Sequence, residues 1–411
     1  MGCASLQSQR ALQPLSDLYT ENSERPEVRL RRQAVPSAET QPADASISTK
    51  RRALCTRAVH RDQSVERHDA RMRQSGGGGL HEAARHGGIG VTKTTAVYTD
   101  LTKSQEAGED LGSAIREALG DRPDAVIVFA SSRFEYEKFL SSLDAACHPA
   151  ILVGASSAGE FTGARRGEGT ACALGIRSDE IQMAAGLGRG VMKDRVRAAR
   201  EVVSGFRGVD ARGLPYRSAL VMTDALAGHA DDLVDQLTVL TAGKYQFAGG
   251  GAGDDARFAR THVFCGTAAF SDAVVALEIL SRKPTGVGVG HGWLPASKPL
   301  RVTSVEGTRL IALNGLPAVE AFEEHARETK QEFRRDDPLP FFLHNILGID
   351  TGTGYRLRVP LAVDAEGAVT CAAEIPAGAR VHVMRTTSES AIEAAKRATQ
   401  AALHSLHGHR P

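Results

Sequence analysis

The chain has 411 residues, 42% hydrophobic and 24% charged, enough apolar content for two or three packed domains. Its 50 Lys+Arg against 49 Asp+Glu leave a net charge of +1, which argues against a general electrostatic grip on nucleic acid or on an anionic membrane. No apolar run approaches the roughly 20 residues of a spanning helix, and the N-terminus holds no apolar signal core, so the reading is a cytoplasmic protein without membrane insertion.

Residues 1–92 are rich in Arg, Gln, Ser and Pro and carry the flexible run Gly76–Gly79. Apolar residues are too sparse there to offset ordering entropy, so the reading is a disordered extension, with Met72 as an alternative start. Met1-Gly2-Cys3 fails as a lipidation start because Leu6 stands where Ser or Thr is needed. The cysteines Cys3, Cys55, Cys147, Cys172, Cys265 and Cys371 form no CxxC pair and no zinc spacing, and read as small buried hydrophobes.

Order is expected from about Thr94. Ala107, Leu111, Ile115 and Leu119 recur four apart and predict a helix over 104–119, stopped by Gly120. Ala125–Ala130 and Ala150–Val153 are continuous apolar runs of strand length, with a helix from Phe134 to Leu143 between them. Thr170–Ile176 and Ile181–Leu187 read as a pair of strands joined by the tip Ser178-Asp179. A helix over 194–205, a strand Ser218–Met222 and a helix Asp231–Thr241 follow. Strand-like pieces at 261–264, 273–279, 285–290 and 300–304 then succeed one another as in an antiparallel sheet. Beyond 306 come a helix from Pro317 to about Arg327, short strands to about Met384, and a last helix with a Ser390/Glu393 capping box. Ile392, Ala395, Thr399, Ala402 and Leu406 would form the inner face of that helix.

The fold class is therefore mixed α/β (α+β). A partly parallel sheet with flanking helices forms the N-terminal module. A mainly antiparallel region and a smaller α+β C-terminal module follow.

Three glycine-rich stretches are candidate ligand walls, expected to converge on one cavity. In Gly154-Ala-Ser-Ser-Ala-Gly-Glu160, small residues admit a ligand to the backbone while Ser156, Ser157, Gly159 and Glu160 offer polar contacts. The hydrolase elbow G-x-S-x-G fails there at Ala158. Gly249–Asp255 is neither a P-loop nor a dinucleotide fingerprint. Its two adjacent carboxylates, Asp254 and Asp255, suit a cationic or amine-bearing ligand, a hydroxyl donor, or Mg²⁺, with Gly250, Gly251 and Gly253 as further wall residues. Gly286-Val-Gly-Val-Gly-His-Gly-Trp293 alternates at period two, so its glycines would floor a pocket beside His291, Gly292 and Trp293. The first two stretches also read as tight turns, and His291 and Trp293 as a structural hydrogen-bonder and ordinary core.

These motifs, together with Ser131, Asn314-Gly-Leu-Pro317 and Ala377-Gly-Ala-Arg-Val381, resemble the FIST sensory domain over roughly residues 94–390. The resemblance implies a FIST N-like module at 93–305, a FIST C-like module at 306–390, and a C-terminal helix and tail at 391–411. It implies a ligand-binding input protein of bacterial signal transduction, with amino acids or their derivatives as suggested ligands. With no output domain, it would pass its signal to a separate partner such as a histidine kinase. No catalytic residue, metal or cofactor is predicted. The alternatives are a nitric-oxide sensor holding haem b through His291, or through His148, His229 or His344, and a hydrolase using Ser156, His291 and Asp254. Members of the family continue past this helix into a closing strand with Cys-x-x-Arg and then a Gly-Glu motif. This chain lacks both, so a truncated or frame-shifted product with an incomplete site, and a bared sheet edge, are the corresponding expectations.

Overall fold

The computed structural model describes residues 91–209, 213–228 and 230–409. The expectations for the N-terminal extension up to residue 90, and for His229 as a haem ligand, lie outside the described residues.

The chain begins with β1 (Thr92–Thr99), α1 (Ser104–Leu119), β2 (Ala125–Ser131), α2 (Tyr136–Cys147) and β3 (Ile151–Ser157). In α1 the residues Ala107, Leu111, Ile115 and Leu119 are all buried, as their spacing predicts. The helix stops at Gly120, whose φ of 72° is one that a side chain resists. Gly108 lets α1 meet α2 closely, since a Cβ there would stand 2.1 Å from the Phe139 carbonyl oxygen. Both helices share one core with Val126, Val128, Leu152 and Phe264.

A small hairpin, β4 (Glu160–Phe161) with β5 (Arg166–Gly167), precedes β6 (Ala171–Ser178) and β7 (Gln182–Arg189). Then come α3 (Arg195–Ser204), β8 (Tyr216–Thr223), α4 (Ala230–Leu240), β9 (Gln246–Gly251), β10 (Val263–Cys265), β11 (Ala268–Phe270) and β12 (Ala273–Ser281). Two sheets result, ordered β1-β6-β2-β3-β10-β11 and β7-β12-β8-β9. Only β2–β3 and β8–β9 are parallel within them. The expected pairing of 170–176 with 181–187 is corrected: β6 and β7 are consecutive but lie in different sheets. The reason is that β1 and β2 occupy both edges of β6, leaving no ladder for β7. In the second sheet Gly186 and Gly188 seat α3, for a Cβ at either would fall 2.0 and 2.1 Å from the Val202 and Ala198 carbonyl oxygens.

The third sheet holds β13 (Leu294–Pro295), β14 (Leu300–Glu306), β15 (Arg309–Leu313) and β16 (Leu316–Pro317). After α5 (Ala318–Thr329) and α6 (Leu339–Phe342) it gains β17 (Ile346–Asp350), β18 (Tyr355–Arg358), β19 (Pro360–Val363), β20 (Val369–Cys371) and β21 (Arg380–Arg385). It therefore takes up residues from Leu294 onward, ahead of the boundary at 306 drawn from the sequence. Its core gathers Phe322, Phe342, Leu310 and Val383. The chain ends in α7 (Ser388–His404).

Two expectations fail together at α7. Residues 285–290, read as a strand, pair with no strand among the described residues. Their glycines receive α7 instead: a Cβ at Gly286, Gly288 or Gly290 would stand 2.3, 1.8 or 3.0 Å from the carbonyl oxygens of Ala402, Ala398 and Ala394. From Gly286 to Gly292 an extended chain advances about 20 Å, and from Ala402 back to Ala391 a helix covers about 17 Å, so the two run antiparallel in step. The inner stripe of α7 is accordingly alanine, with Ala391 and Ala394 buried and Ile392 56% exposed; of the expected face, Ala402 and Leu406 turn inward while Ile392, Ala395 and Thr399 do not. A backbone-to-backbone approach this close admits methyl groups and rejects Ile392. The cap also shifts, to a box between Thr387 and Ser390.

Candidate functional site

Parallel pairing of β2 and β3 in the register Ala125↔Ile151 to Ser131↔Ser157 opens their C-terminal ends side by side. Ligands of open α/β sheets bind at such ends. The loop after β9 folds onto them: the Gly253 N–H donates to the Ser156 carbonyl at 2.8 Å and the Asp255 N–H to the Ser157 carbonyl at 3.2 Å. Gly253 is required, because a Cβ would meet Ala158 N at 2.9 Å. Two of the three glycine-rich stretches thus meet as expected.

The loop is held in an uncommon conformation. Asp255, Ala256 and Phe258 have φ of 56°, 56° and 52°, a region unfavourable for residues with side chains. Asp254, 4% exposed, holds this shape, accepting from the N–H groups of Phe258, Ala259 and Arg260 at 3.0, 2.7 and 3.0 Å. Its carboxylate is a loop brace with both oxygens engaged.

Glu160, 3% exposed, is likewise saturated: Ser157 Oγ donates to Oε1 at 2.6 Å, and the Thr170 N–H and hydroxyl donate to Oε2 at 3.0 and 2.6 Å. Burial pushes its pKa up, against these three bonds. Ser156 Oγ accepts from the His262 N–H at 2.9 Å. Ser156, Ser157, Glu160 and Asp254 therefore gather at one place, yet each is engaged within the protein. Gly159, with φ of 122°, makes the turn into β4, and Gly250 and Gly251 continue β9 beside Met222 and Thr223 of β8.

The open groups are others. Asp255 Oδ2 accepts from Ser131 Oγ and the Ser132 N–H, both at 2.8 Å, and from the Ser132 hydroxyl. Its Oδ1 is buried and without a partner. The Tyr136 phenol, at the start of α2, is also buried and unpartnered, surrounded by Ser156, Asp255, Asp254 and Glu160. Desolvation, opposed by the nearby Ser156 hydroxyl and reinforced by those three carboxylates, pushes its pKa far up and keeps it neutral. Its ring lies 5.1 Å from that of His262 and 4.8 Å from that of Phe264. His262 Nδ1 is the third unpartnered buried atom. Burial, with Arg260, holds the imidazole pKa below its ordinary value, so it is neutral and offers Nδ1 as acceptor or donor by tautomer. Six buried side-chain polar atoms lack a partner among the described residues, and three of them belong to Tyr136 and its neighbours Asp255 and His262. Buried polar groups are normally satisfied, so this clustering singles out the candidate site.

His291, Gly292 and Trp293 do not join this centre. His291 Nε2 bonds the Tyr355 carbonyl at 3.1 Å, leaving Nδ1 buried and unpartnered. Gly292 abuts Ala391 of α7. Trp293 packs with Ile346, Val359 and Met384 in the third sheet's core. The expectation that all three stretches wall a single cavity is corrected accordingly: period-two glycine here serves a helix. No hydrogen bond links Ser156, His291 and Asp254 as a hydrolytic relay would require. His148, another candidate haem ligand, caps α2 in a left-handed conformation, and His344 is exposed. No group of three or more metal-ligating side chains occurs among the described residues.

The sequence reading passed over Tyr136 and His262. Tyr136 lay within an ordinary helix pattern and His262 within a short strand. Only the meeting of α2, β3 and β10 distinguishes them, through the Ser156–His262 backbone pair.

No helix among the described residues is long and apolar enough to cross a membrane. No curated protein sequence matches the chain significantly. Residues 124–316 match the FIST N domain and residues 318–408 the FIST C domain. The first match spans β2 to β12, which include the strands that build the centre, and the second spans α5 to α7; the chain belongs to the FIST family of sensory, signal-transduction domains.

Proposed function

We propose that the protein is a cytoplasmic receptor that binds a small metabolite at the Tyr136–Asp255–His262 centre, without catalysis, and passes the signal to a separate protein such as a histidine kinase. The carrying observation is the cluster of Tyr136 Oη, Asp255 Oδ1 and His262 Nδ1, three buried polar atoms without partners at the C-terminal ends of parallel strands. A ligand completing them gains hydrogen bonds that the empty protein forgoes, each worth roughly 1–3 kcal/mol in a buried setting. The left-handed residues of the 255–258 loop supply a strained element that ligand contact can bias, since a ligand shifts an equilibrium only by binding one state better.

Amino acids and their derivatives are the first compounds to screen. At 100-fold excess over Kd a ligand adds about 2.7 kcal/mol of stability, a rise of several degrees in Tm. The expected result is a compound that raises Tm for the native protein and not for Tyr136→Phe or Asp255→Asn. A ligand whose affinity is untouched by both substitutions binds elsewhere, and that result refutes the assignment.

A further inference from the structure

Resting on the receptor reading above, we propose that the ligand is recognised through an ammonium group and lacks a carboxylate beside it: an amine, not an α-amino acid. Three carboxylates, Glu160, Asp254 and Asp255, face the Tyr136 phenol, and none of them pairs with a Lys or Arg among the described residues. Arg257, two residues beyond Asp255, is exposed, and Arg260 turns its Nε to Ser271 Oγ at 3.1 Å. Arg133 sends Nη1 to the Gly169 carbonyl at 3.0 Å. Buried negative charge without a cation is costly, and an incoming cation relieves it.

A carboxylate would need donors, and those of the strand ends and the 253–260 loop named next are engaged. The hydroxyls of Ser131 and Ser132 are held by Asp255, and those of Ser157 and Thr170 by Glu160. The N–H groups of Ser156, Gly253 and Asp255 bond carbonyls, and those of Phe258, Ala259 and Arg260 bond Asp254. The three unpartnered atoms, by contrast, can all accept: Asp255 Oδ1, the Tyr136 oxygen, and Nδ1 of His262 in its Nε2–H tautomer. A primary ammonium has three N–H donors, so the counts match. The Tyr136 proton remains free to point to Ser156.

The test uses matched pairs that differ by one carboxylate: agmatine and arginine, cadaverine and lysine, tyramine and tyrosine, histamine and histidine. Each is titrated calorimetrically into the full-length protein, with KCl as a control for bare cations. The expected result is that at least one amine binds tenfold or more tightly than its amino acid, that KCl does not compete, and that Asp255→Asn weakens the amine at least tenfold. Tyr136→Phe, which keeps the ring packing, is expected to weaken it several-fold and covers the case in which Asp255→Asn fails to fold. An amino acid that binds as tightly as its amine, and still depends on Asp255, overturns the inference while leaving the site in place. Amine binding that neither substitution alters, or binding of none of the four amines at millimolar concentration, also overturns it. The former removes the site assignment as well.

Discussion

Substituting Gly288 by alanine adds one methyl group, and its effect can be worked out from the seat of α7. The new Cβ would lie 1.8 Å from the Ala398 carbonyl oxygen, where non-bonded contact needs about 3.5 Å. The obstacle is backbone in the middle of a helix, so α7 must retreat by well over 1 Å. A gap of that size forfeits most of the dispersion energy along the stripe. The four inner methyls of Ala391, Ala394, Ala398 and Ala402 are worth about 0.8 kcal/mol each, roughly 3 kcal/mol together, with about 2 more from buried Leu406. Strain beyond that sum is relieved by detaching the helix, so the loss of stability is capped near 5 kcal/mol. A detached α7 would also fray, because helices in proteins draw most of their stability from packing an apolar face. Hydrogen exchange of the α7 amides is the direct assay, with urea denaturation alongside. Gly354→Ala is the control, since a Cβ there meets nothing within 4 Å. Amides of α7 that stay as protected in Gly288→Ala as in the native chain would refute the argument.

His325 is 2% exposed in the third sheet's core and neither ring nitrogen has a partner. Burial lowers its pKa, with Asn345 opposing, Arg385 assisting and Glu328 opposing. The unfolded state therefore takes up the proton first, near its ordinary pKa of about 6.5, so stability is full above that value and falls as pH drops below it. His325→Met should flatten the difference between urea midpoints at about pH 7.5 and pH 5, and an undiminished difference would count against this. Glu278, fully buried in β12, accepts from the Arg207 and Gly208 N–H groups at 2.7 and 2.9 Å and from the Tyr245 hydroxyl. Glu278→Gln puts an NH₂ against one of these donors and should cost about 2–3 kcal/mol in chemical denaturation; a change under about 0.5 kcal/mol would mean the 206–208 loop does not depend on this anchor.

Elements were legible where large apolar residues recur at a helical or strand period. The faces of α1 and α4 follow from Leu111, Ile115, Leu233 and Leu237, all buried. Legibility failed where contact is made by the smallest residues. Periodicity weighs Ile392 above Ala391, yet Gly286–Gly292 accepts only the alanine stripe, and a strand-like alternation proved to be a helix seat. Sheet membership is equally silent in sequence: nothing in Thr170–Leu187 says that β6 has both edges occupied before β7 arrives.

The site divides along the same line. The meeting of two of its stretches was legible, because glycine at Gly154 and Gly253 reports close backbone approach at strand ends. The identity of its open groups was not. Ser157, Glu160 and Asp254 have the chemistry of ligand contacts, but whether a polar group is open depends on what reaches it. Asp254 is closed by its own loop, and Glu160 by Thr170 ten residues on. Asp255 has one oxygen filled by Ser131 and Ser132, more than 120 residues away, and the other left bare. Tyr136 and His262 are open because desolvation by β2, β3 and β10 removes water without bringing a partner, which is a property of the meeting of strands and not of either residue's neighbours in the chain.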